Sequence, residues 1–582
     1  MASGRPAPVR LVRRPGELVD PPATLRTEDG RDLGTVRRLP RDLPIGYHRL
    51  VRDDGEQLLL VAPPRCFPPP VDRAWGWAVQ LPVLRSSGSW GMGDLADLRG
   101  FSNWADGLGA RFMLINPLFA STPAPDPEAS PYSPATRRFR SPLYLRIEEV
   151  PGADRLGPLL ADLAAAGRAL NAAPTIERGR VQALKQRALE AIWASGTATA
   201  GEEPRMSTYR SAVGEGLREW AVYRSLAERH GNDWHDWPAP LRTLSLAAVA
   251  AAARDMEPRI AFHEWVQWLV DEQMARAGGP LRLVADLPVG FDANGFDAWA
   301  WQPLLADGVV LGAPPDSFNP DGQDWGLPPF APDPLRTAGY APFIDTLRAS
   351  LRHAGGLRID HALGLFRQWW IPAGRLPTEG AYVGFPADEL LAVLKLESVR
   401  AGVPVIGEDL GVPEPGSRRA LARAGVLSIR LGYFEGRLAA LPELAMAAIT
   451  THDLPTIAGA WTGSDGEELR EMGLDGASRA AGSFHRRVAR LTGLTPGRSA
   501  RDAVLAAYRS LSTSPARLAV VSLEDALVMT ERPNVPGTTT AQRANWSRGL
   551  RLTLEQVRTD AFARRLARTM TAARPRGPVN RD

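Results

Sequence analysis

Cysteine and lysine are both scarce in this chain of 582 residues. Cys66 is the only cysteine, so the chain cannot form an internal disulfide, which is typical of proteins in a reducing compartment. Lys185 and Lys395 are the only lysines among 69 basic residues, and the net charge is +4. The arginines are spread along the chain without a dense basic patch, which argues against nucleic-acid binding.

Long apolar runs are lacking as well. No stretch of about 18 consecutive apolar residues occurs, which predicts that the chain does not span a membrane. The first twenty residues are basic but lack the apolar segment of a secretory signal. We therefore expect a cytoplasmic protein whose partners include neither a membrane nor a nucleic acid.

The chain does contain eight short apolar runs that resemble strands buried on both faces. Most are separated by helix-like stretches such as residues 388–402. Eight strand-then-helix units predict an α/β fold, a (β/α)8 TIM barrel over residues 71–560. The runs span residues 77–82, 110–118, 281–289, 356–362, 403–411, 426–433, 447–455 and 516–527.

Three other regions surround or interrupt this barrel. Residues 1–70 are predicted to form a small β-rich N-terminal domain, since 47–63 reads as two strands around a "DDG" turn. Residues from about 150 to 275 predict a helical insertion, with a clear helix at 217–231. The tail, 561–582, is predicted to be disordered.

Polar residues stand at the ends of four of the eight runs. Because the carboxyl ends of barrel strands meet at one rim, these side chains are expected to converge there. They are Asp286, then Arg358, Asp360 and His361, then Glu408 and Asp409, then His452 and Asp453.

Several carboxylates beside an arginine and histidines, without cysteine or lysine, are typical of glycosyl transfer or hydrolysis. One carboxylate attacks the anomeric carbon and a second exchanges a proton with the departing and entering oxygens. Taken singly, each motif has another interpretation. Arg358 and Asp360 could be a buried ion pair, and Asp453 could cap a helix. The shared position at successive strand ends favours a catalytic site.

Metal-dependent hydrolysis is the rival interpretation, because Asp and His at barrel strand ends also bind metals. The chain has eight histidines, but none forms the H-x-H pair on which many such sites depend, and no lysine lies at a strand end. We therefore predict no metal and no cofactor.

The motifs "RIDH" (358–361), "GEDLG" (407–411) and "THDLPT" (451–456) resemble those of 4-α-glucanotransferases of the amylomaltase, or disproportionating-enzyme, type. This family belongs to the α-amylase clan of retaining barrels, and the arginine-rich spelling resembles its actinobacterial branch. Further similar segments are "SWGMGDLADL" (89–98), "SPYSPATRRFRSPLYL" (130–145), "GAPPDSFNPDGQDWGLPPF" (312–330) and "NVPGTTTAQRANW" (534–546).

The resemblance implies a role for each matched residue. Asp360 would be the nucleophile, Glu408 the general acid/base and Asp453 the residue that stabilises the transition state. Arg358 would orient Asp360, and Asp409 would lie toward the acceptor. The remaining implied substrate-binding residues are His361, His452, Asp286, Tyr132, Gln323 and Trp325. The implied substrates are α-1,4-glucans, handled by a monomer or homodimer.

Two expectations concern the details of this activity. Residues 312–326 are too rich in Gly, Pro and Asp for a core element, so they are predicted to form a loop over the sugar groove. Ser317 stands where the family commonly has an aromatic residue, which puts one acceptor contact in doubt. Hydrolysis by the same residues and glucan binding without catalysis remain the alternatives to transfer.

Overall fold

A small sheet of five strands forms the N-terminal part of the fold. The structure, a computed structural model, describes residues 8–12, 16–69, 73–196, 201–244, 246–316, 321–495 and 497–575. The strands are β1 (Val9–Leu11), β2 (Leu18–Arg26), β3 (Asp32–Arg38), β4 (Gly46–Arg52) and β5 (Gly55–Val61), in the order β1-β5-β4-β2-β3. The hairpin β4–β5 confirms the two strands predicted around the "DDG" turn.

Eight of the remaining strands close into a parallel barrel, in the order β6-β7-β8-β11-β14-β15-β16-β17. Each overlaps one of the eight predicted runs, so the predicted TIM barrel with a small N-terminal β domain is confirmed. The strands after the first sheet are β6 (Ala74–Val79), β7 (Phe112–Ile115), β8 (Arg282–Leu287), β9 (Val309–Ala313), β10 (Gln323–Leu327), β11 (Gly356–Ile359), β12 (Arg367–Pro372), β13 (Ala381–Gly384), β14 (Val405–Gly407), β15 (Leu427–Leu431), β16 (Ala445–Ala448) and β17 (Leu518–Ser522).

Apolar side chains fill the inside of the barrel. Val284, Ile406, Ile429 and Met446 belong to one buried cluster contributed by facing strands. Alternate residues of the same strands, such as Leu287 and Val405, pack outward against the surrounding helices. Both faces of each strand are therefore buried, as parallel barrel strands require.

Helices surround the barrel, and those of the insertion, α2 to α7, build a second apolar core of their own. The predicted helix at 217–231 is α5. No helix among the described residues is both long and apolar enough to cross a membrane. The helices are α1 (Leu95–Gly107), α2 (Pro158–Ala169), α3 (Arg178–Ala194), α4 (Glu203–Val213), α5 (Glu215–His230), α6 (Ala247–Asp255), α7 (Glu257–Ala277), α8 (Phe296–Ala300), α9 (Pro332–Thr337), α10 (Ala341–Leu351), α11 (Ala387–Ala401), α12 (Ser417–Arg423), α13 (Ile457–Thr462), α14 (Ser464–Glu471), α15 (Asp475–Thr492), α16 (Ala500–Ser512), α17 (Leu523–Ala526), α18 (Leu554–Thr559) and α19 (Ala561–Ala573).

A second small sheet, in the order β10-β9-β12-β13, is built from segments that follow barrel strands β8 and β11. The prediction of a loop over 312–326 is therefore wrong in part, since the two ends of this segment belong to the paired antiparallel strands β9 and β10. Gly312 permits this pairing, because a Cβ there would lie 2.1 Å from the Gln323 carbonyl oxygen. Ser317 lies outside the described residues, so the expectation about its missing aromatic ring stays untested.

The C-terminal segment corrects a second prediction. Residues 561–573 form α19 instead of a disordered tail, because Phe562, Leu566 and Met570 recur at helical spacing and are buried. The Arg574 guanidinium then donates hydrogen bonds to backbone carbonyls, including that of Ala74 at the start of β6 (3.1 Å). Residues 576–582 lie outside the described part of the chain.

Candidate active site

Three neighbouring barrel strands bring carboxylates to one place. Asp286 lies in β8 two residues after Val284, and Glu408 follows β14 two residues after Ile406. Val284 and Ile406 both face the barrel interior, and side chains two residues apart share a face of a strand. Asp360 immediately follows β11, which pairs with β8 on one side and β14 on the other. The carboxylates therefore converge at the carboxyl rim of the barrel.

Arg358 links two of these carboxylates. Its Nη1 donates to Asp286 Oδ1 at 2.5 Å and its Nη2 donates to Asp360 Oδ1 at 2.7 Å. The Arg358 side chain is 8% exposed and that of Asp286 is 4% exposed, whereas that of Asp360 is 21% exposed. Asp286 is therefore an internal anchor for the arginine, and Asp360 is the member of the triad that a substrate can reach.

Burial affects the pKa values of this triad in different ways. Burial raises the pKa of Asp286, against the lowering effect of the adjacent Arg358 charge. Burial alone would lower the pKa of Arg358, but the charges of Asp286 and Asp360 hold that pKa well above its ordinary value. Arg358 therefore stays positively charged at neutral pH.

Glu408 is held differently. Its Oε2 accepts a hydrogen bond from the His361 backbone N–H at 3.0 Å, and its Oε1 accepts one from the Leu410 N–H at 2.7 Å. His361 can donate there because it adopts a left-handed backbone conformation, φ +48°, that is uncommon outside glycine. Burial and the negative charge of Asp360 raise the pKa of Glu408 to about 7. This side chain is suited to carry a proton near neutral pH.

Asp453 is fixed by two neighbours. The Asn534 amide Nδ2 donates to its Oδ1 at 2.7 Å, and His452 Nε2 lies 3.3 Å from its Oδ2. Burial would raise the pKa of Asp453, but the charge and hydrogen bond of His452 and the bond from Asn534 hold it below its ordinary value. Burial lowers the pKa of His452, yet the adjacent Asp453 raises it above the ordinary value overall. Asp453 is thus an anion at neutral pH.

Aromatic rings line the site. The Tyr132 ring lies 5.0 Å from that of His452 and 5.5 Å from that of Trp546, and its hydroxyl donates to Asp286 Oδ2 at 2.6 Å. On the other side, the Trp325 ring makes an edge contact with His361 at 5.5 Å, and Trp325 Nε1 donates to Gln323 Oε1 at 3.3 Å. The rings and the carboxylates together suit a flat polyhydroxylated ligand.

Asp409 is not part of this arrangement. It follows Glu408 directly, so it points out of the barrel, where it is 2% exposed. Its Oδ2 lies 3.2 Å from Arg418 Nε and 3.7 Å from Arg430 Nη2. Asp409 therefore does not face an acceptor as predicted, because its side chain points away from that of Glu408. It holds the loop after Glu408 to Arg418 and Arg430 on the outer side of the barrel.

Two residues of the site, Asn534 and Trp546, have no individual role in the sequence-based prediction. Asn534 and Trp546 both lie in the segment 534–546, which the family resemblance picked out as a whole. Arg532 joins them by donating to the Asp453 backbone carbonyl at 2.8 Å. The motif 534–546 indicates that this segment belongs to the site. It does not indicate which of its side chains contacts Asp453.

The contact from Asn534 to Asp453 makes a testable prediction. Replacing Asn534 by alanine removes a hydrogen bond to a charged group, which contributes about 1.5–3 kcal/mol, so kcat/KM should fall roughly 10- to 100-fold. Thermal unfolding should change little. Asn103→Ala, on the exposed face of α1, is the matched control and should retain full activity. Wild-type kinetics in the Asn534 variant would mean that this bond does not support the reaction.

Among the described residues, no group of three or more His, Cys, Asp or Glu side chains is arranged to hold a metal ion. The expectation that the protein uses no metal and no cofactor stays a prediction.

Comparisons with known proteins agree with this geometry. A family model described as 4-alpha-glucanotransferase matches residues 79–554. A 4-alpha-glucanotransferase of Mycobacterium tuberculosis is 40% identical, covering 94% of this chain and 82% of that protein. The 4-alpha-glucanotransferase of Haemophilus influenzae is 35% identical, covering 76% of this chain and 68% of that protein.

Solved structures give the same result for the fold. The amylomaltase from Corynebacterium glutamicum superposes with a TM-score of 0.86 at 29% identity, covering 97% of this chain and 90% of that one. The amylomaltase from Streptococcus agalactiae, solved in complex with acarbose, has a TM-score of 0.71 at 18% identity, covering 87% of this chain and all of that one. The family suggested by the sequence motifs is therefore confirmed.

Proposed function

Because the chain belongs to the 4-alpha-glucanotransferase family, we propose that Asp360, Glu408 and Asp453 carry out the family's reaction in this protein. The reaction moves a segment of an α-1,4-glucan to the 4-hydroxyl of another glucan or of glucose. It proceeds with retention through a covalent glycosyl-enzyme intermediate.

In the first step Asp360 attacks the anomeric carbon of the donor. Arg358 holds one oxygen of the Asp360 carboxylate at 2.7 Å, which leaves the other oxygen to form the bond to carbon. Glu408 gives its proton to the glycosidic oxygen as the bond breaks. The products of this step are a glycosyl ester on Asp360, a shortened glucan and an ionised Glu408.

In the second step the roles reverse. The 4-hydroxyl of an acceptor glucan enters on the side of Glu408, which takes the hydroxyl proton while the oxygen attacks the anomeric carbon. Asp360 is released as a carboxylate, and Glu408 is again protonated. Two inversions at one carbon give net retention.

The third carboxylate stabilises the charge that develops on the sugar. Asp453 is ionised and fixed by Asn534 and His452, so its charge is in place before the transition state forms. Fixed groups of this kind need no reorganisation at the moment of reaction. The Tyr132 ring, packed against His452, supports the same glucose unit from beside it.

The observation that carries these assignments is the difference between the two central carboxylates. Asp360 makes an ion pair with the Arg358 guanidinium and is 21% exposed, so a donor sugar can reach the carboxylate oxygen that the arginine leaves open. Among the described residues Glu408 forms no ion pair and is held by backbone N–H groups, with its pKa raised to about 7. These different environments support Glu408 as the acid and Asp360 as the nucleophile.

The raised pKa of Glu408 predicts the pH dependence of the first step. Glu408 must be protonated to act as an acid, so kcat/KM for a glucan donor should fall as the pH rises above about 7, approaching tenfold per pH unit. Initial rates on maltotriose between pH 5 and pH 9 measure this fall in kcat/KM. The same fall in kcat/KM should be absent for α-maltotriosyl fluoride, because its fluoride ion leaves without a proton. A flat profile to pH 9 on maltotriose would contradict the assignment.

Three broader expectations remain predictions. The single cysteine, Cys66, is buried and free, which favours a cytoplasmic protein. Its substrates are expected to be maltooligosaccharides or fragments of starch or glycogen. A monomer or homodimer is expected, which size-exclusion chromatography with light scattering would test. The N-terminal domain is expected to pack against the barrel, and the bond from Tyr47 Oη to Glu397 Oε1 of α11, at 2.8 Å, supports this role.

A further inference from the structure

The second small sheet carries the same pair of side chains twice. In β10, the Trp325 indole N–H donates to Gln323 Oε1 at 3.3 Å. In β12, the Trp370 indole N–H donates to Gln368 Oε1 at 3.2 Å. In both strands the glutamine precedes the tryptophan by two residues. The pair in β12 shares a face by strand alternation. In β10 the register shifts between Asp324 and Leu327, and the hydrogen bond itself holds Trp325 beside Gln323.

The two pairs share a face of the sheet. Strand β9 lies between β10 and β12, and Gln323 is directly opposite Ala313 of β9. The register of β12 sets Trp369 opposite Gly312, so the preceding residue, Gln368, also faces Ala313. Residues directly opposite in antiparallel strands point to the same side. The two glutamines therefore flank Ala313 on one surface.

This surface is continuous with the active site. Trp325 contacts His361, whose backbone N–H holds Glu408. Gln368 lines a cavity together with Asp360 and His361, with an unfilled volume of about 770 Å³ that is partly open to solvent. In the proposed function Glu408 exchanges its proton with the departing and entering oxygens, and the contact of Trp325 with His361 sets the sheet beside Glu408. A glucan that extends from those oxygens along the sheet would meet both pairs.

Each pair has the chemistry of a sugar-binding unit. The hydrogen bond to glutamine fixes the indole ring, and all four side chains are partly exposed. The glutamine uses its oxygen for the indole, and among the described residues neither amide nitrogen donates to a protein group. A fixed aromatic face can pack against the C–H face of a glucose ring at little entropic cost, and the amide nitrogen can donate to a hydroxyl.

We propose that Gln368 and Trp370 form a second acceptor subsite for α-1,4-glucans, farther from the reacting bond than Gln323 and Trp325. The inference rests on the proposed function and extends it to chain-length preference. Strands β10 and β12 are two inter-strand steps apart, about 10 Å in total. A glucose acceptor therefore ends before it reaches Trp370, whereas a longer maltooligosaccharide contacts it.

The experiment compares acceptors of different length with one activated donor. With α-maltotriosyl fluoride as donor, kcat/KM is measured for glucose and for maltotetraose as acceptors, by chromatography of the transfer products. Trp370→Ala should leave the glucose value unchanged and lower the maltotetraose value by about tenfold or more. Trp370→Phe should recover most of the loss, and Gln368→Ala should reproduce part of it.

Trp369→Ala is the matched control. Trp369 is the adjacent residue on the opposite face of β12, and its indole N–H donates to the Pro377 carbonyl at 2.9 Å. It should not change the ratio of the two acceptor values. Equal losses with both acceptors in Trp370→Ala and Gln368→Ala would overturn the second subsite. A wild-type protein that transfers to neither acceptor would overturn the proposed function itself.

Discussion

Asp360→Asn should abolish glucan transfer, with a loss in kcat of roughly 10⁴-fold or more, as expected when the nucleophile of a covalent mechanism is removed. The amide cannot form the ester on the anomeric carbon, while its size and its contact with Arg358 are nearly preserved. The measurement is glucose release and oligomer formation from maltotriose. Binding of a maltooligosaccharide, followed by calorimetry, should persist in the variant.

The control for this variant is an exposed carboxylate elsewhere on the same chain. Asp307→Asn, in the turn before β9, makes the same chemical change at an exposed position outside the active site. It should keep wild-type kinetics. Thermal unfolding of both variants checks that the fold is intact. If Asp360→Asn keeps activity within tenfold of wild type while the protein is folded and free of contaminating enzyme, another residue is the nucleophile.

Glu408→Gln should separate the two halves of the reaction. General acid/base catalysis contributes about 10²- to 10⁴-fold, so transfer between natural glucans should slow by that factor. Fluoride leaves α-maltotriosyl fluoride without a proton, so formation of the intermediate from this donor should be affected far less. Its transfer to an acceptor then lacks the base, and the intermediate accumulates.

Rapid-quench kinetics with both donors measure this separation. The matched control is Glu414→Gln, in the exposed loop that follows Glu408, which should behave as wild type with either donor. A Glu408→Gln variant slowed equally in the first step for maltotriose and for the fluoride would show that Glu408 does not act as the acid.

The barrel and its carboxylates are predictable from the sequence because both depend on local rules. Strands buried on two faces appear as short apolar runs, and polar residues at their carboxyl ends share a rim. Asp286, Asp360 and Glu408 obey these rules. The direction of the Asp409 side chain follows from the same rules, because adjacent residues of a strand point to opposite faces and Glu408 faces inward. The family resemblance instead implied that Asp409 lies toward the acceptor.

Other parts of the site depend on long-range contacts that local patterns do not determine. Asn534 reaches Asp453 across 81 positions of the chain, and Trp546 reaches Tyr132 from still farther away. The edge strand β10 forms in a segment rich in Gly and Pro because β9 provides a partner. Tertiary pairing of this kind overrides the local preference for a loop.

The covalent intermediate on Asp360 is the central claim, and its direct detection is the most decisive measurement. Glu408→Gln is incubated with α-maltotriosyl fluoride, quenched in acid and analysed by mass spectrometry of the intact protein and of its peptides. The mechanism predicts one added maltotriosyl group per chain, attached to the peptide that contains residues 358–361 and located on Asp360. A maltotriosyl group on a different residue, or inverted product released without any adduct, would contradict it.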